Sequence, residues 1–218
     1  MYQLTGMLLL ALSLALPAAV RAKEPVRIGA LYSVTGTMAI SEASLRDALV
    51  MLVEQQNQRG GLLGRPLELV ALDPASNWPM YGEKARQLIE REKVAVIFGC
   101  WTSASRKEVK AAVEELNGLL FYPVQYEGQE QSPNIFYLGA APNQQAFPAV
   151  RYLLEERNIQ RWVLAGTDYV YPRTTNRMLA AYLADQGAVS YTHLTLPTTS
   201  ALCRSRWGPG HVNGGGGG

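Results

Sequence analysis

The stretch Val94-Ala95-Val96-Ile97-Phe98-Gly99-Cys100-Trp101-Thr102-Ser103 decides the fold. Its first five residues are apolar throughout, which is typical of a strand buried on both faces of a parallel sheet. Residues 99–103 then predict a loop, and the sequence that follows to about Leu116 predicts a helix. A strand, a loop and a helix in this order form the repeating unit of an α/β protein.

The same alternation continues along the chain on both sides of this stretch. Short apolar runs predict strands, and apolar residues at helical spacing predict helices between them. The strands are predicted at residues 26–32, 66–72, 94–98, 118–122, 135–138 and 161–165, and the helices at 41–58, 79–92, 103–116, 143–157 and 173–185. In the first helix, the apolar face is predicted from Leu45, Ala48, Leu49, Leu52 and Val53. The fold class is therefore α/β, with a parallel sheet covered by helices on both sides.

Ligands of such folds bind beyond the carboxyl ends of the strands. Four predicted loops lie at that edge, at residues 33–40, 99–105, 122–128 and 166–173. They are rich in aromatic rings and hydrogen-bonding groups, namely Trp101, Tyr122, Tyr126, Tyr169, Tyr171, Thr102, Ser103, Gln125, Glu127 and Asp168. These side chains suit a small, polar, planar molecule. The alternative is that single rings at strand ends only close the core.

The N-terminus predicts an export signal. An apolar run from Leu8 to Leu16 is followed by Pro17, and Val20-Arg21-Ala22 supplies small residues before a cleavage point. The run is too short to span a bilayer as a helix. Residues 1–22 are therefore predicted to be a cleavable signal peptide that directs the protein to the periplasm, with an uncleaved N-terminal anchor as the alternative.

The C-terminal stretch from residue 188 to 218 has a different character. The ten residues Val-Ser-Tyr-Thr-His-Leu-Thr-Leu-Pro-Thr (189–198) resemble a translated sequencing adapter, and the chain ends in five glycines. We therefore expect residues 188–218 to be an artefactual or disordered tail without packed structure. The alternative is a natural low-complexity segment. Both histidines, His193 and His211, and the second cysteine, Cys203, lie in this tail.

Several classes of function are disfavoured by the residues before the tail. The formal net charge is +2 with no block of like charges, so nothing indicates binding to nucleic acid. Without a histidine, Ser103 and Ser105 have no evident general base. No acidic residues are spaced as in a calcium or magnesium loop. Gly60-Gly61-Leu62-Leu63-Gly64 follows a helix, which is the wrong context for a phosphate site. We expect no enzyme, no cofactor and no metal.

Two of the strand-end segments carry a family resemblance. Phe98-Gly99-Cys100-Trp101-Thr102-Ser103-Ala104-Ser105-Arg106-Lys107 and Tyr122-Pro123-Val124-Gln125-Tyr126-Glu127-Gly128 resemble the urea-binding proteins of bacterial ABC transporters, as do residues 28–42, 132–137, 139–145 and 168–173. The resemblance extends over about residues 26–187. The wider group is the branched-chain amino acid and amide-binding branch of the type 1 periplasmic binding proteins.

The resemblance implies a periplasmic protein with two lobes that close on urea and deliver it to a membrane permease. Residues 23–145 would form the first lobe and residues 146–187 an incomplete start of the second, so we expect this chain to bind urea weakly or not at all. The ligand-binding residues expected from the family are Trp101, Thr102, Ser103, Tyr122, Gln125, Tyr126, Asp168 and Tyr169. Ser103 and backbone N–H groups would donate to the urea oxygen, and Gln125 and Asp168 would accept from its nitrogens.

Other functions remain open from the sequence. In the same class, the ligand is a short-chain amide or an amino acid instead of urea. Amide-sensing relatives with this frame regulate transcription in the cytoplasm, and the predicted signal peptide argues against that role. An enzyme on the same frame is the third alternative, which the absence of a histidine before the tail disfavours.

Overall fold

The computed structural model describes residues 23–195, with side chains to Leu194. The predicted signal peptide at residues 1–22 and residues 196–218 of the predicted tail lie outside this range. In chain order the elements are β1 (Val26–Leu31), α1 (Ala39–Gln58), β2 (Leu67–Leu72), α2 (Trp78–Glu90), β3 (Val96–Gly99), α3 (Ser103–Glu115), β4 (Leu120–Tyr122), β5 (Ile135–Tyr137), a 3₁₀ turn (Pro142–Gln144), α4 (Ala146–Glu155), β6 (Arg161–Thr167), α5 (Val170–Asp185) and β7 (Val189–Thr195).

Residues 23–145, the first unit, are built on a five-stranded sheet in the order β2-β1-β3-β4-β5. All four pairings are parallel, and Ile28 of β1 lies beside Leu69 of β2 and Val96 of β3. The α/β class with a parallel sheet is thereby confirmed. Parallel pairing brings the carboxyl ends of β1, β3 and β4 to one edge of the sheet.

Helices cover this sheet on both faces because successive side chains of a strand point to opposite sides. On one face, Leu88 of α2 and Val113 of α3 pack with Ile97 of β3 in a core from which water is excluded. On the other, Leu49 and Val53 of α1 pack against β1. Burial of this apolar surface is the main source of stability of the first unit.

The buried face of α1 differs from the sequence prediction. Leu49 and Val53 are buried, but Ala48 is exposed and Leu52 is 56% exposed, while Glu42 is completely buried. Residues 42, 49 and 53 share one side of a helix with 3.6 residues per turn, and Ala48 and Leu52 lie about a quarter turn away. Glu42 is tolerated on the buried side because it has hydrogen-bond donors there, described below.

Residues 146–195, the second unit, form a two-stranded parallel sheet of β6 and β7. Its core is formed on one face only, by Val150, Leu164, Leu179, Leu183 and Ala188. The opposite face is open, with Val163 71%, Val189 68% and Tyr191 64% exposed. Among the described residues, no helix has the length and apolar composition needed to cross a membrane.

The prediction that residues 188–218 lack packed structure is wrong for the first part of that segment. Ala188 is buried in the core of the second unit, and β7 pairs with β6 from Val189 beside Arg161 to Thr195 beside Thr167. Val, Tyr and Thr are strong strand formers, and β6 offers unpaired backbone groups along its edge. The predicted loop at 166–173 is also shorter than expected, because α5 begins at Val170.

Candidate ligand site at the carboxyl edge of the sheet

The N-terminus of α3 forms the centre of the carboxyl edge. Thr102 caps the helix, and its Oγ1 accepts a hydrogen bond from the backbone N–H of Ser105 at 3.1 Å. Ser105 Oγ in turn donates to the Thr102 carbonyl at 2.8 Å. Just before the cap, the buried residue Cys100 has a left-handed φ of 67°, which turns the chain sharply out of β3. The first backbone N–H groups of α3 therefore face the edge.

Tyr169 brings the second unit to this helix terminus. Its hydroxyl oxygen accepts a hydrogen bond from the backbone N–H of Ala104 at 2.8 Å. The Tyr169 ring lies 6.2 Å from the ring of Trp78, which is the first residue of α2. Burial raises the pKa of the Tyr169 hydroxyl, and hydrogen bonding with Ala104, Thr102 and Ser103 opposes that rise. The hydroxyl therefore lies among three polar groups of the α3 terminus.

Ser103, the first residue of α3, is oriented by Glu127 from the loop after β4. Only 3% of Ser103 is exposed, and its Oγ donates to Glu127 Oε2 at 2.7 Å. The other carboxylate oxygen, Oε1, accepts from Arg106 Nη2 at 2.7 Å. The predicted role of Ser103 as a donor to a ligand oxygen differs from this geometry, because its one proton is already directed to a carboxylate.

A buried network of charges lies beneath this residue pair. Arg106 has no exposed side-chain surface, and its Nε donates to Glu130 Oε1 at 2.8 Å. Lys107 Nζ donates to Glu130 Oε2 at 2.6 Å, and the Tyr137 hydroxyl donates to Oε1 at 3.0 Å. Burial alone raises the pKa of the Glu130 carboxyl, but the hydrogen bonds and charges of Arg106 and Lys107 outweigh it and lower the pKa to about 2. Glu130 is thus held in its charged form.

Aromatic rings enclose the guanidinium of this network. The carbon Cζ of Arg106 lies 5.0 Å from the ring centre of Tyr122, 5.4 Å from that of Tyr126 and 5.9 Å from that of Tyr137. The rings of Tyr126 and Tyr137 stack at 4.5 Å. A cation over an aromatic face is attracted by the quadrupole of the ring, so these contacts contribute to fixing Arg106. Tyr126 therefore packs on Arg106 as well as lying in the predicted site.

Tyr122 and Trp101 act as one structural group. Tyr122 is completely buried, and its hydroxyl donates to the backbone carbonyl of Trp101 at 3.0 Å. This bond fixes the loop before α3, while the Trp101 side chain is 41% exposed at the edge. The ring of Trp101 is thus available for contact with a ligand, and Tyr122 holds its backbone in place.

Gln125 and Asp168 have partners outside the α3 terminus. Gln125 is exposed, and its Oε1 accepts from Gln145 Nε2 at 3.2 Å. Asp168 pairs with Arg173 of α5, whose hydrogen bond lowers the pKa of the Asp168 carboxyl. The structure therefore brings Thr102, Ser103 and Tyr169 together, with Trp101 and Tyr122 adjacent, and gives Gln125 and Asp168 other contacts.

A third buried carboxyl, that of Glu42, supports the loop after β1. Glu42 Oε2 accepts from the backbone N–H of Ser33 at 2.6 Å and from the Tyr81 hydroxyl at 2.5 Å. Burial raises the pKa of Glu42. Within residues 23–194, no cluster of three or more His, Cys, Asp and Glu side chains is placed to hold a metal ion. His193, the histidine of the described range, lies exposed on β7.

Sequence reasoning did not assign roles to Arg106, Glu130 or Trp78, and it left Glu127 out of the expected contact residues. Glu127 could have been predicted as a site residue, because it follows Tyr126 in a loop at the carboxyl edge of the sheet. Nothing in the sequence pairs it with Arg106, which lies 21 positions earlier. That pairing depends on the path of the loop between β4 and β5.

The amino-acid sequence matches a known domain family over most of its length. Residues 26–199 match the model of the periplasmic binding protein domain. The chain is 37% identical over 116 residues to the Leu/Ile/Val-binding protein homolog 7 of Brucella melitensis, a match that covers 52% of this chain and 29% of that protein. It is 32% identical over 113 residues to homolog 8 of Brucella suis, covering 52% and 28%. The matched regions span less than a third of these relatives.

Solved structures with the same fold cover more of the chain. A leucine-binding protein from Thermotoga maritima superposes with a TM-score of 0.69 at 17% identity, covering 82% of this chain and 52% of that one. A substrate-binding periplasmic protein from Ralstonia solanacearum superposes with a TM-score of 0.72 at 14% identity, covering 83% and 51%. At these identities the likeness shows the fold alone, and about half of each structure has no counterpart in the matched chain.

Proposed function

This chain belongs to the periplasmic binding protein domain family, and we propose that it supplies the first lobe and part of the ligand site of a periplasmic solute-binding protein of an ABC transporter. The relatives reported above are named as binding proteins rather than enzymes, in agreement with the prediction that the chain carries no catalytic site. Delivery of the ligand to a membrane permease and export by the signal peptide at residues 1–22 belong to the same proposal.

The observation that carries the proposal is the meeting of both units at the N-terminus of α3. Ser103 and the N–H of Ala104 come from the first unit, and the Tyr169 hydroxyl comes from the second. A ligand held between such groups contacts both lobes at once, which is how binding drives the closure of a hinged protein. The partly exposed ring of Trp101 provides an apolar wall beside these polar groups.

We propose urea, or a short amide, as the ligand. Two observations support this proposal. The strand-end segments resemble those of urea-binding proteins, and the polar cluster of Thr102, Ser103 and Tyr169 is small enough to suit a small ligand. Urea presents one carbonyl oxygen and four N–H donors, and an unpaired buried polar group costs about 1–3 kcal/mol, so such a site discriminates between close analogues. The eight residues predicted from the sequence remain the proposed ligand-binding group, with Tyr122 acting through the Trp101 backbone that it holds and with the polarity of Ser103 revised below.

A branched-chain amino acid is the second candidate, supported by the names of the relatives from Brucella. Its carboxylate would accept from the N–H groups at the α3 terminus, which favour negative charge. The two candidates differ at this point, because a carboxylate offers acceptors only, while an amide offers one acceptor and a donor.

Nuclear magnetic resonance titration of the 15N-labelled chain distinguishes the candidates and detects weak binding. We expect urea and acetamide to shift the backbone resonances of residues 101–104 and 169, and leucine to shift them less. Asp168→Ala is expected to weaken the response to urea, and Asp185→Ala, at the exposed end of α5, is the matched control. An unchanged response in Asp168→Ala removes Asp168 from the contacts. Absence of any shift with all three compounds, at concentrations that would detect millimolar binding, contradicts a ligand site on this part of the protein.

A further inference from the structure

The hydroxyl proton of Ser103 is already used in a hydrogen bond to Glu127. Ser103 Oγ donates to Glu127 Oε2 at 2.7 Å, and Glu127 Oε1 is paired with Arg106 Nη2, also at 2.7 Å. Glu127 is 2% exposed and the Arg106 side chain has no exposed surface. A carboxylate accepts hydrogen bonds and cannot donate, so Ser103 Oγ is left with its lone pairs for any further partner.

From this geometry we infer that Glu127, held by Arg106, is a positioning residue that sets the polarity of Ser103 and makes the site select an amide edge over a carboxylate. The inference rests on the proposed function and names a residue that determines its specificity. Beside the acceptor Ser103 Oγ lies the donor N–H of Ala104, now bonded to the Tyr169 hydroxyl. One donor next to one acceptor complements the O=C–N–H edge of urea or an amide, which has an acceptor next to a donor.

A carboxylate does not match the same pair of groups. It would accept from the Ala104 N–H, but its second oxygen would face the lone pairs of Ser103 Oγ without a proton between them. The Tyr169 hydroxyl now occupies the position next to the Ala104 N–H. Like an amide edge, a hydroxyl can both accept and donate a hydrogen bond. The hydroxyl of Tyr169 accepts from the Ala104 N–H at 2.8 Å, and its own proton remains for an acceptor such as Ser103 Oγ.

Glu127→Gln is expected to reverse the polarity of Ser103. Arg106 can only donate, so the amide oxygen of the new side chain turns towards Arg106 and its NH2 group turns towards Ser103. Ser103 Oγ then accepts from that NH2 group, and its proton is free to point at a ligand. Glu130→Gln is the matched control, because Glu130 also accepts from Arg106 but is hydrogen-bonded to Lys107 and Tyr137 rather than to Ser103.

The experiment is a resonance titration of the 218-residue chain and its variants with acetamide and with acetate. In Glu127→Gln we expect the ratio of acetamide to acetate affinity to fall by about tenfold or more, the scale of one hydrogen bond to a charged group. We expect Glu130→Gln to keep the wild-type ratio. Equal weakening of both ligands by Glu127→Gln, or an unchanged ratio, overturns the inference, because a purely structural role would not change the preference.

A second measurement requires no ligand and covers the case in which Glu127→Gln does not fold. Ser103→Ala removes the donor to Glu127, so we expect the 13C resonance of the Glu127 carboxyl to move in this variant while that of Glu130 stays in place. An unmoved Glu127 resonance contradicts the hydrogen bond and with it the inference. If the wild-type chain responds to neither acetamide nor acetate, the ligand site proposed on this chain is contradicted, and the Glu127 resonance by itself then tests the hydrogen bond.

Discussion

The two sheets of this molecule consist of similar strand–helix units but are covered differently. In the first unit, α1 packs on one face and α2 and α3 on the other, and Leu88 has no exposed surface. In the second unit, α4 and α5 pack on one face, and Val163 lies 71% exposed on the other. Parallel sheets are normally buried on both faces. The comparison predicts that similar strand–helix units differ in stability, because stability depends on the apolar surface that is buried against the strands.

Breaking the charge network should have the largest effect on the first unit. Arg106→Met leaves two buried carboxylates, Glu127 and Glu130, without their guanidinium partner. Removing one member of a buried ion pair typically costs about 3–5 kcal/mol, and we expect a loss of that order in the free energy of unfolding. Thermal denaturation at neutral pH, followed by circular dichroism, measures it. A loss below about 1 kcal/mol would show that water or Lys107 compensates the charges.

The same network predicts an acid-sensitive first unit. The pKa of Glu130 is lowered to about 2 in the folded state, so its stabilising contribution is present above its unfolded pKa of about 4.3 and is lost as the pH falls towards 2. Glu130→Gln should remove this part of the pH dependence. A wild-type unfolding free energy that stays constant from pH 5 to about pH 2 would contradict the ion pair.

Truncating the two cores should separate the stability of the two units. Leu88→Ala in the first core and Leu183→Ala in the second both remove a completely buried side chain. Each change is expected to cost about 2–5 kcal/mol locally. Hydrogen exchange of backbone amides should show the loss of protection in β1 and β3 for Leu88→Ala, and in β6 and β7 for Leu183→Ala. Equal loss in both sheets from either variant would mean that the two units unfold together.

Removing the hydroxyl that joins the units should have a smaller effect. Tyr169→Phe deletes the acceptor for the Ala104 N–H while keeping the ring contact with Trp78. We expect a loss of about 0.5–1.5 kcal/mol, the net value of a typical hydrogen bond. Faster exchange of the Ala104 amide is the specific readout. Tyr171→Phe, which changes a neighbouring tyrosine in α5, is the control and should leave that amide unchanged.

A charge on the open face of the second sheet should have the smallest effect. Val163→Lys adds an exposed side chain to β6, and we expect a change within about 0.5 kcal/mol. Leu164→Lys, one position later on the covered face, should be strongly destabilising, because it places a charge in the second core. Thermal melts of the two variants compare the faces directly. Strong destabilisation by Val163→Lys would show that this face is covered in solution.

The sequence predicted the elements of both units better than the contacts between them. Strands such as β3 are recognisable in the sequence because a short, wholly apolar run between two loops is typical of a buried strand. The burial of Glu42 and the pairing of Arg106 with Glu127 were not predictable. Each depends on the distance between loops far apart in the chain, which local spacing does not encode. The residues of β7 were predicted to be disordered because they resemble an adapter, although Val, Tyr and Thr favour strands. The structure pairs these residues with β6.

Among the residues that the structure describes, 23–195, the first sheet draws its five strands from residues 26–137, and these strands pair with one another. Chains leave the ribosome at about 5–20 residues per second, whereas local strands and helices form far faster. The first unit can therefore assemble in a nascent chain before the second unit has emerged from the ribosome. In that order, the α3 terminus is already folded when the Tyr169 hydroxyl reaches it. The part of the chain synthesised later then docks onto the part synthesised earlier.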